Sequence, residues 1–415
     1  MLADAPFGPG LRPARMDGLG RPCGTRMNDP HARFARCPRR GRVSALGRPC
    51  GTDMALRAQT KVRTAIVGSY PKPRYVYSKN GRSLLDSFGF AFEGREKELG
   101  PGEFAKLLDK AALSAIDDQN RAGVDIMTDG EERRGHYVLH IVNKLAGVDA
   151  RNRKRISMRG GTTEQDAPRI IGKIRYKGPM VVEEFLFTRK HAKGVAKIGL
   201  PGPSTVADCV ADEHYDGDRK QLAFDYADAI RHEVEALIAA GCEIIQFDDP
   251  VLLRYPAAAQ AWGLQALERC FAGLEDRATF VVHICCGYPN KPLERKGIAY
   301  KANRDYYRDV LTWLSESKLD VVSIEGAASK LDVSVLSAIG SKTVMLGVID
   351  VGENAVESVD ALVARAGEAL RHIPIGQLIL APDCGMLELT HASARKKLVN
   401  LALAARAVNE HALRS

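Results

Sequence analysis

The sequence predicts an α/β protein of the (β/α)8 TIM barrel class. Eight short apolar stretches, rich in β-branched residues, alternate with segments whose apolar residues recur at helical spacing. Nearly every apolar stretch also ends in a polar residue, a cysteine or a proline. In a closed barrel of parallel strands all eight ends open at one mouth, where such proteins carry their chemistry. A doubly wound open sheet is the alternative, but it offers no single mouth for eight strand ends.

The predicted strands follow one another along most of the chain. They cover residues 63–70, 124–131, 196–203, 242–250, 281–287, 320–326, 342–350 and 377–385. Their special end residues are, in the same order, Ser69, Glu131, Pro203, Asp248, Cys285, Glu325, Asp350 and Cys384. Helical spacing between strands is clearest over residues 103–121 and 219–240, and a last helix is predicted over 391–408.

Residues 1–57, here called the leader, are rich in Arg, Gly and Pro and have almost no apolar periodicity. They contain eleven Arg and four Asp, with no Lys or Glu, and so hold +7 of the chain's +9 net charge. Such a composition buries too little apolar surface to offset its ordering entropy, so we expect a disordered leader. A transit peptide and a nucleic-acid-binding arm are the alternatives. We favour a start codon set too far upstream, with Met54 as the true start and one barrel domain over residues 58–415.

The remaining 358 residues carry a net charge of only +2, which argues against a nucleic-acid-binding surface on the barrel. No apolar run approaches the roughly 20 residues that a membrane-spanning helix needs. The nine cysteines are an odd number, are scattered, and follow no disulfide framework. We therefore expect a protein of the reducing cytoplasm, with neither nucleic acid nor membrane as a partner.

Residues 150–192 interrupt the alternation of strand and helix. They contain a basic run at 151–155, a pair of glycines, and two strand-like pieces around Gly178-Pro179. This pattern predicts an inserted β-hairpin over one mouth of the barrel. We interpret the basic run as a solvated face of that hairpin.

The fifth predicted strand, residues 281–287, ends in the sequence His-Ile-Cys-Cys-Gly. Side chains alternate across a strand, so His283 and Cys285 point the same way and Cys286 points the other way. Zinc accepts imidazole nitrogen and thiolate sulfur, and it needs further ligands to complete a tetrahedron.

Two later strand ends can complete this site. Glu325 ends the sixth predicted strand, and Cys384 ends the eighth. Together with His283 and Cys285 they form a mixed His/Cys/Glu/Cys set at one mouth, which predicts a zinc ion as cofactor. The alternative is a buried histidine and packed cysteines, both of which are common in protein cores.

These motifs resemble the catalytic, C-terminal domain of cobalamin-independent methionine synthase, in the superfamily that also contains uroporphyrinogen decarboxylase and epoxyalkane:coenzyme M transferase. The resemblance runs from about residue 62 to 410. It rests on Val67-Gly68-Ser69-Tyr70-Pro71, Asp129-Gly130-Glu131, Ile245-Gln246-Phe247-Asp248-Asp249-Pro250, His283-Ile284-Cys285, Ser323-Ile324-Glu325 and Pro382-Asp383-Cys384-Gly385. Carried over, the family's zinc ligands fall on His283, Cys285, Glu325 and Cys384.

The resemblance also implies substrate contacts. The family's contacts to its amino-acid substrate fall on Gly68, Ser69, Glu131 and Asp248. In that interpretation Glu131 and Asp248 act at the catalytic centre by pairing with a cationic group of a homocysteine-like thiol. Ser69, with its neighbour Gly68, would hold the carboxylate of that thiol. A salt bridge that ties barrel loops together is the alternative role for Glu131 and Asp248.

Two departures from the family concern the methyl donor. The synthase has a proton-donating histidine after its seventh strand, whereas residues 349–354 contain none. The family's acidic folate contact falls on Arg254, which suits an anionic substrate group. We also expect this chain to work without the synthase's second barrel. The donor side therefore does not resemble a folate site, and a corrinoid protein is one alternative source of the methyl group.

Several functions compete on this fold. The leading one is a zinc-dependent methyltransferase that acts on homocysteine. The alternative is an epoxyalkane:coenzyme M transferase-like enzyme, or another thiol alkyl transferase or lyase of the superfamily. A metal-free decarboxylase has no need of four zinc ligands, and a structural zinc in a binding protein more often lies at clustered CxxC motifs. No phosphate-binding glycine loop or hydrolase nucleophile motif is present.

Overall fold

The computed structural model describes residues 60–78, 90–288, 296–297 and 301–414, so the leader and Met54 lie outside the described residues. The strands in this part are β1 (Arg63–Thr64), β2 (Ile126–Met127), β3 (Ala146–Met158), β4 (Thr163–Arg175), β5 (Val195–Pro201), β6 (Ala211–Asp212), β7 (Ile244–Asp248), β8 (Thr279–Ile284), β9 (Val321–Ile324), β10 (Thr343–Ile349) and β11 (Leu378–Pro382). The α-helices are α1 (Phe90–Leu99), α2 (Pro101–Ala122), α3 (Leu139–Val142), α4 (Val182–His191), α5 (Pro203–Cys209), α6 (Arg219–Ala239), α7 (Val251–Arg254), α8 (Pro256–Ala258), α9 (Leu264–Arg269), α10 (Tyr307–Ser315), α11 (Val359–Ala369) and α12 (His391–Ala412).

Eight parallel strands form the barrel, in the order β1-β11-β10-β9-β8-β7-β5-β2. A backbone bridge between Ala65 and Ile126 joins the two ends of this sheet. Each of the eight strands lies inside one of the predicted stretches or within a few residues of it, and helices connect most neighbours. The predicted TIM barrel class is therefore confirmed.

The predicted insertion is a hairpin, but its turn lies elsewhere. Strands β3 and β4 pair antiparallel around a turn at Arg159–Gly161, and β4 also pairs with the short β6. Gly160 and Gly161 supply this turn because both have positive φ, at 67° and 88°. The residues that follow Gly178 form helix α4 instead of a second strand-like piece. Acidic residues in its first turn and basic residues in its last turn complement the helix dipole.

The side chains inside the barrel change from apolar to polar along the barrel axis. Its lower part is a small apolar cluster contributed by alternate residues of the strands. Along β8 this alternation runs from Val281 in the cluster to His283 and then to Cys285 near the mouth. The polar side chains thus begin where the apolar layer ends.

A larger apolar core lies between the strands and the surrounding helices. Helix starts are fixed by local capping: Asp218 accepts a hydrogen bond from the Gln221 amide before α6, and Thr390 accepts one from the Ser393 amide before α12. Among the described residues, no helix combines the length and the apolar character that crossing a membrane would require.

Candidate active site at the barrel mouth

His283, Cys285 and Cys384, here called the thiol cluster, meet at the mouth of the barrel. One ligand atom from each lies within 4.8 Å of the others, and all three residues are buried. The two Sγ atoms are 3.8 Å apart. A tetrahedral zinc with Zn–S bonds of about 2.3 Å would hold two thiolate sulfurs about 3.8 Å apart. The spacing of the two cysteines therefore fits this ion.

The histidine also fits a metal ligand. Its Nδ1 lies 2.9 Å from the Ser323 Oγ, which orients the ring. Its Nε2 is buried and has no hydrogen-bond partner among the described residues. A buried ring nitrogen without a partner is costly, and coordination of an ion would remove that cost. His283 can thus be the nitrogen ligand beside the two sulfurs.

The fourth predicted ligand, Glu325, is held outside the thiol cluster. Its Oε1 lies 2.8 Å from the Lys301 Nζ, and its Oε2 accepts a hydrogen bond of 3.0 Å from the Cys286 amide. Burial raises the pKa of Glu325 to about 7, although Lys301 counteracts this effect. The structure therefore assembles three of the four predicted ligands and engages the fourth with a lysine.

The loops after β9 and β11 are tied together by Asp383. Its carboxylate accepts hydrogen bonds from the amides of Gly326, Ala327 and Ala328, at 2.9, 2.8 and 2.6 Å. This contact fixes the residue before Cys384 against the residue after Glu325. The two strand ends that supply predicted ligands are thus held in a defined relation.

The pKa values of the two thiols in the cluster are shifted in opposite directions. The hydrogen bond between the two thiols holds the pKa of Cys285 well below its usual range, and His283 acts in the same direction. The same hydrogen bond raises the pKa of Cys384 well above its usual range. The lowered pKa of Cys285 favours its thiolate, which is the form of cysteine that binds metals.

Two carboxylates converge beside the thiol cluster. A Cβ built on Gly199 would lie 3.1 Å from the Asp248 Oδ2 and 3.5 Å from the Glu131 Oε1, so a side chain at this position would crowd both acids. Ser69 donates a hydrogen bond of 2.5 Å to the Glu131 Oε2. A pair of carboxylates in one cavity is a suitable site for an ammonium group.

Glu131 is held in an unusual backbone conformation. Its φ is 55°, in the left-handed region that non-glycine residues rarely adopt. Asp129 accepts a hydrogen bond from its amide, and Lys72 donates one to its carbonyl oxygen. Arg134 lies 3.3 Å from its Oε1. Local strain of this kind is typical of functional sites, because the surrounding contacts must hold it in place.

Asp248 is connected to two further buried polar residues inside the barrel, Gln246 and Lys197. The Gln246 side chain donates a hydrogen bond of 2.6 Å to its Oδ1, and the buried Lys197 ammonium contacts Gln246 and the Val67 carbonyl oxygen. Burial, with the nearby charge of Glu131, raises the pKa of Asp248 to about 6. Burial also lowers the pKa of Lys197 to about 8.

The thiol cluster and the carboxylate pair line one space, the inner cavity. Its walls are Val67, Gly68, Ser69, Glu131, Tyr137, Arg159, Asp248, Pro250, His283, Cys285, Gly287, Tyr288, Cys384 and Gly385. The predicted residues Gly68 and Ser69 are among them. Arg254 is not, and it lines the neighbouring space instead.

Sequence reasoning missed Tyr137, Tyr288 and Arg159. Tyr288 has one sequence signal, since it follows directly after the glycine that ends the predicted fifth strand. A Cβ on Gly385 would lie 2.1 Å from the Tyr288 hydroxyl, so the phenol packs where only glycine leaves room. Tyr137 lies in a loop and Arg159 in the hairpin turn. Such segments have no regular spacing of residues from which the direction of a side chain could be predicted.

Comparison with known proteins agrees with this arrangement. A family described as the catalytic domain of cobalamin-independent synthase matches residues 62–407. A methionine synthase of Pyrococcus abyssi is 28% identical over 84% of this chain and 93% of its own length. One from Saccharolobus solfataricus is 29% identical over 84% of this chain and 95% of its own length.

Solved structures give the same result. A B12-independent methionine synthase from a Shewanella species, in complex with selenomethionine, is 30% identical, with a TM-score of 0.75 over 86% of this chain and 100% of that one. A Listeria monocytogenes structure, 20% identical with a TM-score of 0.63, supports the fold. Because the matching family is cobalamin-independent, the corrinoid protein considered from the sequence gains no support.

Proposed function

Because the chain belongs to the cobalamin-independent methionine synthase catalytic-domain family, we propose that it methylates the sulfur of homocysteine in a zinc-dependent reaction that yields methionine. His283, Cys285 and Cys384 would hold the zinc, with Glu325 as a fourth ligand once Lys301 releases it. A bound zinc would keep the substrate sulfur as a thiolate at neutral pH.

The chain's own residues would bind and orient the amino acid. Glu131 and Asp248 would accept hydrogen bonds from its ammonium group, which the convergence of these carboxylates beside Gly199 supports. Gly68 and Ser69 border the same cavity and would lie along its carboxylate. The side chain of homocysteine would then extend toward the thiol cluster.

The transfer itself is a displacement at carbon. The electron pair of the homocysteine sulfur forms the new sulfur–methyl bond, and the bond between the methyl group and the donor breaks. The leaving group departs with the electrons of that broken bond. The proton of the thiol has left before this step, since the nucleophile is the thiolate.

The observation that carries the proposal is that the thiol cluster and the carboxylate pair share one cavity. The test is to purify the protein, measure its zinc, and give it homocysteine with each of three electrophiles: a methyltetrahydrofolate, trimethylsulfonium and a small epoxide. We expect about one zinc per chain, and methionine, identified by mass spectrometry, from at least one methyl donor.

A second arm tests the alternative function. The same enzyme receives 2-mercaptoethanesulfonate in place of homocysteine, with the epoxide as electrophile. Formation of the hydroxyalkyl thioether, without methionine from any methyl donor, would assign the chain to epoxide chemistry instead. A Glu131→Gln, Asp248→Asn double variant should lose discrimination in favour of homocysteine over thiols without an amino group.

A further inference from the structure

A buried lysine lies inside the barrel among uncharged hydrogen-bond acceptors. Lys197 comes from β5, and its side chain is almost completely buried. Its Nζ donates hydrogen bonds to the Val67 carbonyl oxygen, at 2.6 Å, and to the Gln246 Oε1. A buried ammonium beside uncharged acceptors is costly, and an apolar residue would fill the same space at lower cost. Packing alone therefore does not account for a lysine at this position.

The Lys197 ammonium determines which way the Gln246 amide is turned. An ammonium group only donates hydrogen bonds, so the amide atom that faces it is the oxygen. The amide nitrogen then lies on the other side, where it donates to the Asp248 Oδ1 at 2.6 Å and to the Val67 carbonyl oxygen at 3.0 Å. A reversed amide would place its oxygen against the carboxylate, where two acceptors repel each other. Lys197 thus fixes Gln246 as a donor to Asp248.

These contacts join three parts of the barrel wall. Val67 follows β1, Lys197 lies in β5 and Gln246 lies in β7. Backbone pairing between β5 and β7 sets Gly199 level with Gln246. The Val67 carbonyl oxygen accepts hydrogen bonds from both side chains. Turning the Gln246 amide over would break its bonds to Lys197, Val67 and Asp248 together, so the amide has one favoured orientation.

The hydrogen bond from Gln246 holds the Asp248 carboxylate by one oxygen, Oδ1. The other oxygen, Oδ2, lies beside Gly199, where a Cβ would be 3.1 Å from it and 3.5 Å from the Glu131 Oε1. Glycine at this position leaves space that both carboxylates border, and both line the inner cavity. An ammonium group of a ligand can therefore contact Oδ2 while Gln246 holds Oδ1.

We propose that Gln246, oriented by Lys197, is a positioning residue for Asp248 and thereby makes an amino group on the thiol a specificity requirement of the site. Hydrogen bonds to charged groups are among the stronger ones in proteins. Without this bond the carboxylate is free to rotate away from Gly199, and an ammonium group gains less on binding. The inference rests on the proposed function in one respect, that Glu131 and Asp248 bind an ammonium group.

The experiment compares two ligands that differ only in the amino group, homocysteine and 4-mercaptobutyrate. Calorimetric titration of the zinc-loaded enzyme gives a dissociation constant for each ligand, and the ratio of the two measures the preference for the amino group. Both ligands have the same thiol and carboxylate, so the contributions of these groups cancel in the ratio. In Gln246→Met the preference should fall about tenfold, through weaker binding of homocysteine.

Lys197→Met tests whether the lysine acts through the glutamine. We expect the preference to fall by a similar factor, and to fall no further in the double variant with Gln246→Met. A lysine that acted only as a nearby positive charge would compete with the ammonium of the ligand, so its removal would raise the preference. A raised preference, or additive effects in the double variant, would overturn the role of Lys197. Gln246→Met removes no charge and tests the proposal even where Lys197→Met fails to fold.

Lys397→Met is the matched control, because Lys397 is equally buried but pairs with Glu357, at 2.8 Å, on helix α12. It should keep the wild-type preference. An unchanged preference in Gln246→Met, or an equal fall in Lys397→Met, would overturn the proposal, as would equal binding of both ligands to the wild type. Because the titration needs no turnover, the expected ratios without any methionine formation would contradict the proposed function alone.

Discussion

Cys384 and Cys286 both lie near the mouth, yet only Cys384 faces the thiol cluster. Replacing Cys384 with Ser removes one of the two sulfurs of the proposed zinc site, so we expect most of the bound zinc to be lost. Cys286→Ser is the matched control and should keep its zinc, because only its backbone amide contacts Glu325. Metal content is measured by mass spectrometry after dialysis. Stoichiometric zinc in both Cys285→Ser and Cys384→Ser would show that the ligands lie elsewhere.

Lys301 contacts Glu325, which is the fourth ligand of the proposed zinc site. Replacing Lys301 with Met removes the ammonium group that lies 2.8 Å from this carboxylate, and so leaves Glu325 available to an ion. We expect zinc to bind roughly tenfold more tightly, as for a gained charged ligand. A chelator competition measures this affinity. Lys318→Met, which removes a surface pair with Glu275, is the control, and an equal change in both variants would refute the competition.

Glu132 is fully buried, and neither carboxylate oxygen has a hydrogen-bond partner among the described residues. Burial raises its pKa from an ordinary 4.5 to about 8. Since the folded state holds this proton more tightly than the unfolded state, the carboxyl costs no stability below pH 4.5. The cost then grows as the pH rises to about 8.

We therefore expect Glu132→Gln to stabilise the protein at pH 8.5, by about 5 kcal/mol, and to change little at pH 4.5. Urea unfolding at the two pH values measures the difference. Glu103→Gln, at an exposed surface pair, should show no such pH dependence. A stabilisation of equal size at both pH values would mean that packing, and not ionisation, is responsible.

At the scale of the elements, the barrel strands could be predicted because their signal is local. Alternation along β8 places His283 and Cys285 on one side whatever the rest of the chain does. Parallel pairing then brings Asp248 level with His283, and His283 level with Ser323. His283, Cys285 and Cys384 of the predicted set meet at the ends of such strands.

Loops and turns could not be predicted in the same way. The hairpin turn lies at Arg159–Gly161 and not at Gly178, because the pair of glycines adopts positive φ there while helix α4 follows Gly178. Glu325 ends its predicted strand, but Lys301, 24 residues earlier in the chain, determines where the carboxylate points. Contacts of this kind depend on loop conformation, for which the sequence has no period.

At the scale of the whole chain, the leader is predicted to be dispensable. Its net charge of +7 and its lack of apolar periodicity distinguish it from the nearly neutral barrel. A protein that begins at Met54 should retain the circular dichroism spectrum, the zinc content and the homocysteine methylation of the full chain. Insolubility or lost activity of this shortened protein would show that the leader belongs to the enzyme.

The part of the proposed site that would bind the thiol contains more of the expected groups than the part that would bind the methyl donor. The thiol half has its sulfurs and its carboxylate pair in one cavity. Among the described residues that line the inner cavity and the neighbouring space beside Arg254, the histidines are His283, in the thiol cluster, and His136. Burial and the charges of Arg159 and Arg153 lower the pKa of His136 to about 3, so its ring is neutral at pH 7. It is therefore a poor acid for a leaving nitrogen.

A positioned general acid is typically worth about 10²–10⁴-fold in rate. When free methyltetrahydrofolate gives up its methyl group, tetrahydrofolate must leave as a nitrogen anion unless that nitrogen is protonated, so turnover with homocysteine should be slow or absent. Trimethylsulfonium leaves as neutral dimethyl sulfide and should react faster in single-turnover mixing. The rate with methyltetrahydrofolate should rise as the pH falls, whereas the sulfonium rate should not. Fast, pH-independent transfer from methyltetrahydrofolate would show that another group, such as the phenol of Tyr288 or Tyr137, supplies the proton.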